Sequence, residues 1–352
     1  MPNFSIIIAY MDDKNSFRRR NLYAVLDRCL ALFSDAEIII AEQGSSSISD
    51  KLNNYNERVR RIEVAEGSRF HKTKLLNTAI ASATTDTIVM MDADAYIDDV
   101  AAKSIEAGLE LLKTQEVGIV YPFNEVDYLS EGQTRSFLGG IQINSEFCFH
   151  GVHIQRQTGL CNMYLKSTWE RVNGFDEEFY EWGAEDDAFT YKIKRLVGVL
   201  KRTEGHVYHL FHPQVNTEAY QKSSVYTTNR KLCACIRRMT ADDLESYIAG
   251  KVTLSSLMEK YEKQRRLNVR LSWACTKQTM LTIDTTIYDL DYETEMSFTK
   301  ILDAVLLEDG PAYIPTFVNE VFYSIPDLSP DQKAEIDAFV EKAKRLAEIE
   351  AK

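Results

Sequence analysis

The sequence predicts an α/β fold, a parallel sheet covered by helices and followed by a helical C-terminal module. Three observations carry that expectation. Short Ile-rich runs alternate with segments of helical periodicity through the first hundred residues. Each of the first three apolar runs ends in acidic or amide side chains, at Asp12-Asp13, Glu42-Gln43 and Asp92-Ala93-Asp94. Beyond about residue 215 helical periodicity replaces the strand signal.

Phe4–Tyr10 is a continuous apolar run, the pattern of a strand buried on both faces. Phe17–Leu32 follows with Leu22, Val25, Leu26, Cys29 and Leu30 at helical spacing. Glu37–Ala41 reads as the second buried strand, Lys72–Ala83 as a helix with Leu75, Leu76, Ala79 and Ile80 on one face, and Thr87–Met91 as the third strand. Ligands of open α/β sheets sit beyond the carboxyl ends of the strands, so the three polar clusters are expected to converge on one crevice. Val117–Pro213 mixes short strands with a polar loop, Ser130–Gly151, and a helix over Asp187–Leu196. Helices are expected over Lys222–Met239, Ala241–Ala249 and Leu254–Arg270, with Thr240 as a cap. A last helix from Pro330 to about Ala351 is marked by Ser329 as N-cap, Pro330 at the first turn and Gln332. The domain division expected is 1–219 for the α/β part and 220–352 for the helical module.

The 352 residues are enough to bury a sizeable core, and a charge of −12 weighs against nucleic acid and anionic membranes as general partners. The basic clusters Arg18-Arg19-Arg20 and Lys263–Arg266 read as solvated helix faces. Six cysteines without regular spacing argue against a disulfide framework and for a reducing compartment. No signal-peptide pattern and no long apolar run is visible, so a cytoplasmic protein without an integral membrane segment is expected.

Three clusters could carry chemistry. Asp92 and Asp94, two apart at a strand end, can each offer an oxygen to a hard divalent cation, which neutralises a diphosphate; an isolated pair of this kind is more often a solvated turn, but its place directly after the apolar strand Thr87–Met91 favours the cation. In Trp182-Gly183-Ala184-Glu185-Asp186-Asp187, a carboxylate would serve as general base and the indole as a platform for a sugar ring. The competing reading is an acidic helix start stabilised by the macrodipole, where the charged carboxylate is favoured. His206, His209 and His212 lie three apart, so on a strand neighbouring members point to opposite faces and only some can share a metal site. His150 and His153 have the same spacing without a context that demands a ligand role.

These motifs, with Phe70–Asn77 (FHKTKLLN), Met91–Asp94, Asn173–Glu177 (NGFDE) and Tyr208-His209, follow one order along residues 3–215. In that respect the chain resembles glycosyltransferase family 2, especially members with a galactosyltransferase-like C-terminal motif, as in β-1,4-galactosyltransferases and chondroitin-type polymerases. The resemblance implies a GT-A fold, a Rossmann-like sheet for a nucleotide-sugar, and inverting transfer of a hexosyl or N-acetylhexosaminyl group from a UDP-sugar. It implies Asp186 as base, with Glu185, Trp182 and Gly183 shaping the acceptor site. Asp12, Asp13, Glu42, Lys74 and Asp92 would face the donor. Asp94 and His209, with His212 as its competitor, would bind Mn²⁺ or Mg²⁺, and Ser130–Gly151 would cover the bound donor. The early strand departs from the family pattern, reading Ala9–Asp13 (AYMDD) with its arginines delayed to 18–20.

Two other classes fit the sequence less well. A sugar nucleotidyltransferase needs a Gly-rich phosphate loop after the first strand, and Tyr10–Arg20 has no glycine. A non-catalytic carbohydrate-binding scaffold would not need the full set of carboxylates and histidines. The acceptor, whether glycan, lipid-linked sugar, protein or modified base, is not encoded in these motifs, and the C-terminal helices offer a surface for self-association.

Overall fold

The computed structural model describes residues 3–12, 16–44, 48, 52, 55, 57–65, 67–114, 116–141, 149–150, 158–213, 220, 222–263, 269–273 and 279–283. Asp13, His153, Cys148, Cys275 and the expected helix from Pro330 lie outside them. Two compact units divide the chain, residues 1–251 and 252–352.

The first unit is built on a seven-stranded sheet. Its strands are β1 (Phe4–Tyr10), β2 (Ala36–Gln43), β3 (Val59–Val64), β4 (Thr87–Met91), β6 (Val117–Tyr121), β9 (Cys161–Leu165) and β10 (Val199–Arg202), in the order β10-β6-β9-β4-β1-β2-β3. All pairings are parallel except those of β9, which runs antiparallel to β4 and β6. Every residue of β1 is buried, as its unbroken apolar run requires. α1 (Phe17–Leu32) and α2 (Lys72–Ser82) sit where the periodicity placed them, and α2 packs on β1 and β2. β3 was not expected. Its sequence, VRRIEV, hides its strand character because Arg60 and Arg61 turn to Glu37 and Glu42 of the neighbouring strand.

The strand order reverses between β1 and β4, the position at which open α/β sheets form a ligand crevice. Tyr10 pairs with Glu42 and Ile7 with Met90, so Asp12, Glu42 and Asp92 all leave the sheet at its carboxyl edge. A second, four-stranded sheet stands beyond that edge. It contains β5 (Ala95–Ile97), β7 (Glu125–Tyr128), β8 (Phe149–His150) and β11 (His206–His209), in the order β5-β11-β7-β8. α3 (Asp99–Leu112) links the two sheets, capped by Asp98 Oδ1 accepting from the Ala101 amide at 2.7 Å.

Ser130–Gly151 departs from the expected loop. Its first part is a helix, α4 (Glu131–Leu138), started by a capping box in which Ser130 and Gln133 bond each other's backbone amides. Residues 142–148 and 151 of that segment lie outside the described residues. α5 (Lys166–Arg171) and α6 (Glu185–Leu196) follow, and α6 packs on β6 and β10. α7 (Ser224–Arg238) lies against α6, followed by α8 (Ala241–Ile248). The second unit contains α9 (Leu254–Lys263) and an antiparallel pair, β12 (Val269–Trp273) and β13 (Thr279–Ile283). The helix expected to reach Arg270 therefore stops short of it, because the β-branched and aromatic run VRLSW pairs as a strand.

The four cysteines among the described residues, Cys29, Cys161, Cys233 and Cys235, are buried free thiols. Among those residues no helix is long and apolar enough to cross a membrane.

The segment between α5 and α6 is clamped from two sides. Asn77 of α2 accepts from the Phe175 amide at 2.9 Å and from Trp169 Nε1 at 3.1 Å, and donates to the Phe175 carbonyl at 2.9 Å. Buried Lys192 of α6 donates to the Gly174 carbonyl at 2.7 Å and pairs with Asp176 at 3.0 Å. Gly174 has φ +64°, and a Cβ there would lie 2.6 Å from Asn77 Oδ1 and 2.8 Å from Trp169 Nε1. Gly174→Ala is therefore expected to destabilise the protein by about 1–3 kcal/mol, read as a lowered Tm in thermal denaturation. An unchanged Tm would contradict this clamp.

Candidate active site

The site is assembled where α2 begins. The His71 amide donates to Gln43 Oε1 at 2.8 Å, and Gln43 Nε2 donates to the carbonyls of Gly67 and Arg69, each at 2.7 Å. His71 Nε2 contacts the Glu177 carbonyl at 2.8 Å, the Glu181 amide donates to the Phe70 carbonyl at 2.7 Å, and the His71 ring stacks on Tyr180. These bonds stitch the Phe70–Asn77 stretch to the segment leading into Trp182–Asp187.

Their result is that Lys72 meets three carboxylates. Its Nζ lies 3.1 Å from Asp92 Oδ1, 3.2 Å from Glu185 Oε1 and 2.9 Å from Asp186 Oδ2. Burial lowers the pKa of the ammonium, but Asp186, Asp92 and Glu185 together outweigh it and hold the group well above its usual range. Lys72 was not singled out by sequence. Its neighbour Lys74 was, and Lys74 sits half-buried on the same helix.

Asp92 is fixed by the turn before β9: its amide donates to the Leu160 carbonyl at 2.8 Å and its Oδ2 accepts from the Leu160 amide at 3.2 Å. Glu185 holds its own approach loop by accepting from the Gly183 amide at 3.0 Å. Three residues of that loop, Glu181, Gly183 and Ala184, have positive φ values of 59°, 124° and 69°. Asp186 stands in the first turn of α6, where the helix-start reading put it. Burial raises its pKa, Lys72 opposes that, and Glu185 and Asp92 raise it further, so the carboxyl stands well above the ordinary range despite its place in the first turn of α6. Its Oδ1 is buried and has no hydrogen-bond partner among the described residues. Gly159 makes room for this carboxylate, since a Cβ there would sit 2.9 Å from Asp186 Oδ2.

The second half of the site comes from the β5–β11 ladder. His209 pairs in register with Ala95, next to Asp94, and the Leu210 amide donates to the Asp94 carbonyl at 2.9 Å. His209 Nε2 lies 3.8 Å and His212 Nε2 3.0 Å from the Asp94 carboxylate, so the histidines expected to compete stand together. One ligand atom from each of the three residues lies within 4.8 Å of the others. Burial would raise the pKa of Asp94, but His209 and His212 overcome it and hold the carboxyl below its usual range. Burial is the main reason His209 is lowered; His212 is raised, because its bond to Asp94 outweighs its burial. An oxygen and two imidazole nitrogens converging from a buried carboxylate, a strand end and the chain just beyond it suit a borderline divalent cation. His206, as the alternation required, faces away from this group and pairs with buried Asp127 at 3.0 Å.

The remaining expected donor residues sit along the same edge. Asp12 accepts from Arg19 Nε at 3.1 Å and from the Tyr10 hydroxyl at 2.7 Å, and Glu42 is buried against Arg61. The cluster Arg18–Arg20 is therefore not merely a solvated face. Arg19 holds Asp12, Arg20 donates to the Phe211 carbonyl at 3.1 Å, and Arg18 acts electrostatically on Asp94 and His212. Trp182 is 45% exposed, the largest side chain left open on this side.

Two family models match the chain in succession: "Glycosyl transferase family 2" over residues 5–166 and "N-terminal domain of galactosyltransferase" over residues 139–213. No curated protein sequence matches it. Among solved structures it is similar to GalNAc-T7 with UDP, GalNAc and Mn²⁺, at 16% identity and TM-score 0.47, over 75% of this chain and 54% of that one. The chain thus spans about half the length of that protein. It is similar to the mannosyltransferase PcManGT from Pyrobaculum calidifontis in complex with GDP-Man and Mn²⁺, at 15% identity and TM-score 0.44, over 73% of this chain and 72% of that one. Likeness to S. aureus TarS is at 12% identity and TM-score 0.48, over 97% of this chain and 53% of that one.

The state of Asp186 has a consequence for stability. Its pKa is higher in the fold than in the unfolded chain, so its contribution to stability is present at low pH. That contribution is lost as pH rises from the ordinary carboxylate range through the raised value. At neutral pH the charged form is a cost, and Asp186→Asn is expected to raise Tm by a few degrees at pH 7 and by less at pH 4. A Tm that falls at pH 7 would contradict the raised pKa.

Proposed function

We propose that this chain, which belongs to glycosyl transferase family 2, transfers a sugar from a UDP-sugar to an acceptor hydroxyl with inversion at the anomeric carbon. The observation that carries the reading is the Asp186 carboxylate. It is buried beside Lys72, its Oδ1 has no hydrogen-bond partner among the described residues, and the lack of a side chain at Gly159 leaves room for its Oδ2. A buried acceptor atom left in that state is poised to take a hydrogen bond from a hydroxyl.

In this reading the acceptor hydroxyl donates its proton to Asp186 as its oxygen bonds to the anomeric carbon. The bond from that carbon to the diphosphate breaks on the opposite side, and UDP leaves with the electron pair. The raised pKa makes Asp186 a stronger base than an exposed carboxylate, and the Lys72 ammonium beside it favours its charged form. Glu185 fixes the Gly183 amide and shares Lys72, so it holds the approach loop and the lysine beside the base. Asp92 lies on the donor side of the same lysine, with Asp12, Glu42 and Lys74 as the further donor contacts. Asp94, His209 and His212 would hold the divalent cation, Mn²⁺ in preference to Mg²⁺ on account of the two imidazoles. Bound there, the cation supplies positive charge for the diphosphate. The transferred group, hexosyl or N-acetylhexosaminyl, and the acceptor are set by pocket contacts that these residues do not fix.

A panel of UDP-sugars assayed for UDP release with Mn²⁺ and with chelator tests this. Metal-dependent release from one sugar is expected, and release unaffected by chelator would contradict the metal assignment. Asp186→Asn should lower turnover by about 10²–10⁴-fold and leave UDP affinity nearly unchanged, whereas Asp94→Ala should abolish the metal dependence of UDP binding. Turnover retained by Asp186→Asn would sink the mechanism.

A further inference from the structure

The family matches end at residue 213, yet the loop that carries Trp182 is held by residues further along the chain. We propose that Tyr220, Tyr226 and Asn229 complete the acceptor site by locking Trp182 as a stacking platform for a pyranose ring. This rests on the transferase reading above and assigns the acceptor side of the same site.

Four observations converge on that platform. The Tyr220 hydroxyl accepts from the Trp182 amide at 3.0 Å and donates to the Trp182 carbonyl at 2.8 Å, closing both polar groups of one residue. Asn229, 2% exposed, donates Nδ2 to the Tyr180 carbonyl at 2.8 Å and approaches the Trp182 carbonyl at 3.5 Å. The Tyr226 ring lies nearly parallel to the indole, with centroids 5.8 Å apart and planes 8° apart. A Cβ at Gly183 would meet that same ring at 3.2 Å, so glycine lets the loop settle onto α7.

The backbone explains why such support is needed. Glu181 and Ala184, neither a glycine, hold positive φ, a conformation that persists only where its surroundings impose it. Tyr220, Tyr226 and Asn229 supply those surroundings. What they hold is a large aromatic residue left 45% exposed three positions before Glu185. An indole fixed from behind and open in front offers an apolar face to the C–H face of a sugar ring, and ordering it in advance removes an entropic cost of binding. Asn229 and Tyr220 are positioning residues here, and Tyr226 backs the platform.

Protein labelled with 5-fluorotryptophan and followed by ¹⁹F NMR tests this directly, because the chain has three tryptophans and Trp182→Phe identifies one line. The probes are methyl glycosides of common hexopyranoses, added in the presence of UDP and Mn²⁺. A saturable shift of the Trp182 line is expected for at least one glycoside. Tyr226→Ala and Asn229→Ala should move or broaden that line and weaken the glycoside about fivefold or more, while Tyr226→Phe behaves as the wild type. The stabilisation by UDP with Mn²⁺ should be retained in all three variants. Wild-type saturation in Tyr226→Ala and Asn229→Ala, no glycoside response in the wild type, or loss of UDP binding in both alanine variants would each overturn the proposal. A wild type that binds pyranosides at Trp182 but fails to respond to UDP in any assay would instead overturn the donor reading and leave the platform standing.

Discussion

The Lys72 ammonium binds together three parts of the chain that have no local connection. Asp92 ends the strand at the switch point of the sheet, Glu185 and Asp186 begin α6, and Lys72 itself begins α2. One cation among three carboxylates leaves the cluster net negative and largely out of water. Groups buried in this way repay their desolvation only when the geometry is well made, and removing the lysine would strand all three carboxylates. The hydrogen bonds of Gln43, His71 and Asn77 supply that geometry by fixing the start of α2 to the sheet and to the segment that precedes Trp182. The arrangement of both sides of the cleft therefore depends on where this one side chain is held.

Lys72 also separates two electrostatic tasks. Around it, burial and like charge push Asp186 up, so the fold pays in stability for a carboxylate able to accept a proton. Around Asp94 the balance goes the other way, and two histidines favour the ionised carboxyl despite its burial. A β-ladder only three pairs long makes the difference, since the register that sets His209 beside Ala95 brings the chain beyond it, with His212, back onto Asp94. Two acidic residues two apart in sequence thus face different neighbours, one an ammonium and the other a pair of imidazoles.

Much of this was legible in the sequence because it rests on local pattern. Continuous apolar runs gave β1, β2 and β4, helical periodicity gave α1 and α2, and the α/β class followed from their order, while the GT-A type came only from the resemblance of the motifs to a known family. Alternation on a strand separated His206 from His209, although the closeness of His212 depends on the turn after the strand. What was not legible is long-range. Lys72 and Lys74 occupy the same motif, and only the approach of α6 to α2 distinguishes them. β3 is masked by arginines whose partners lie on the next strand, and α4 by a capping box inside a polar stretch. The raised pKa of Asp186 could not be read from its place at a helix start, because it comes from burial and from Asp92 and Glu185 gathered around it by the fold. Tyr220 and Asn229 lie outside every motif, and their role is visible only once α7 is seen against the Trp182 loop.

The claim at the centre of this account is that Asp94, His209 and His212 hold the cation on which donor binding depends. Electron paramagnetic resonance of Mn²⁺ titrated into the protein, with and without UDP, tests it most directly. The account predicts one site per chain that tightens when UDP is added and is lost in Asp94→Ala and weakened in His209→Ala and His212→Ala. Binding of Mn²⁺ that is indifferent both to UDP and to these three substitutions would contradict it.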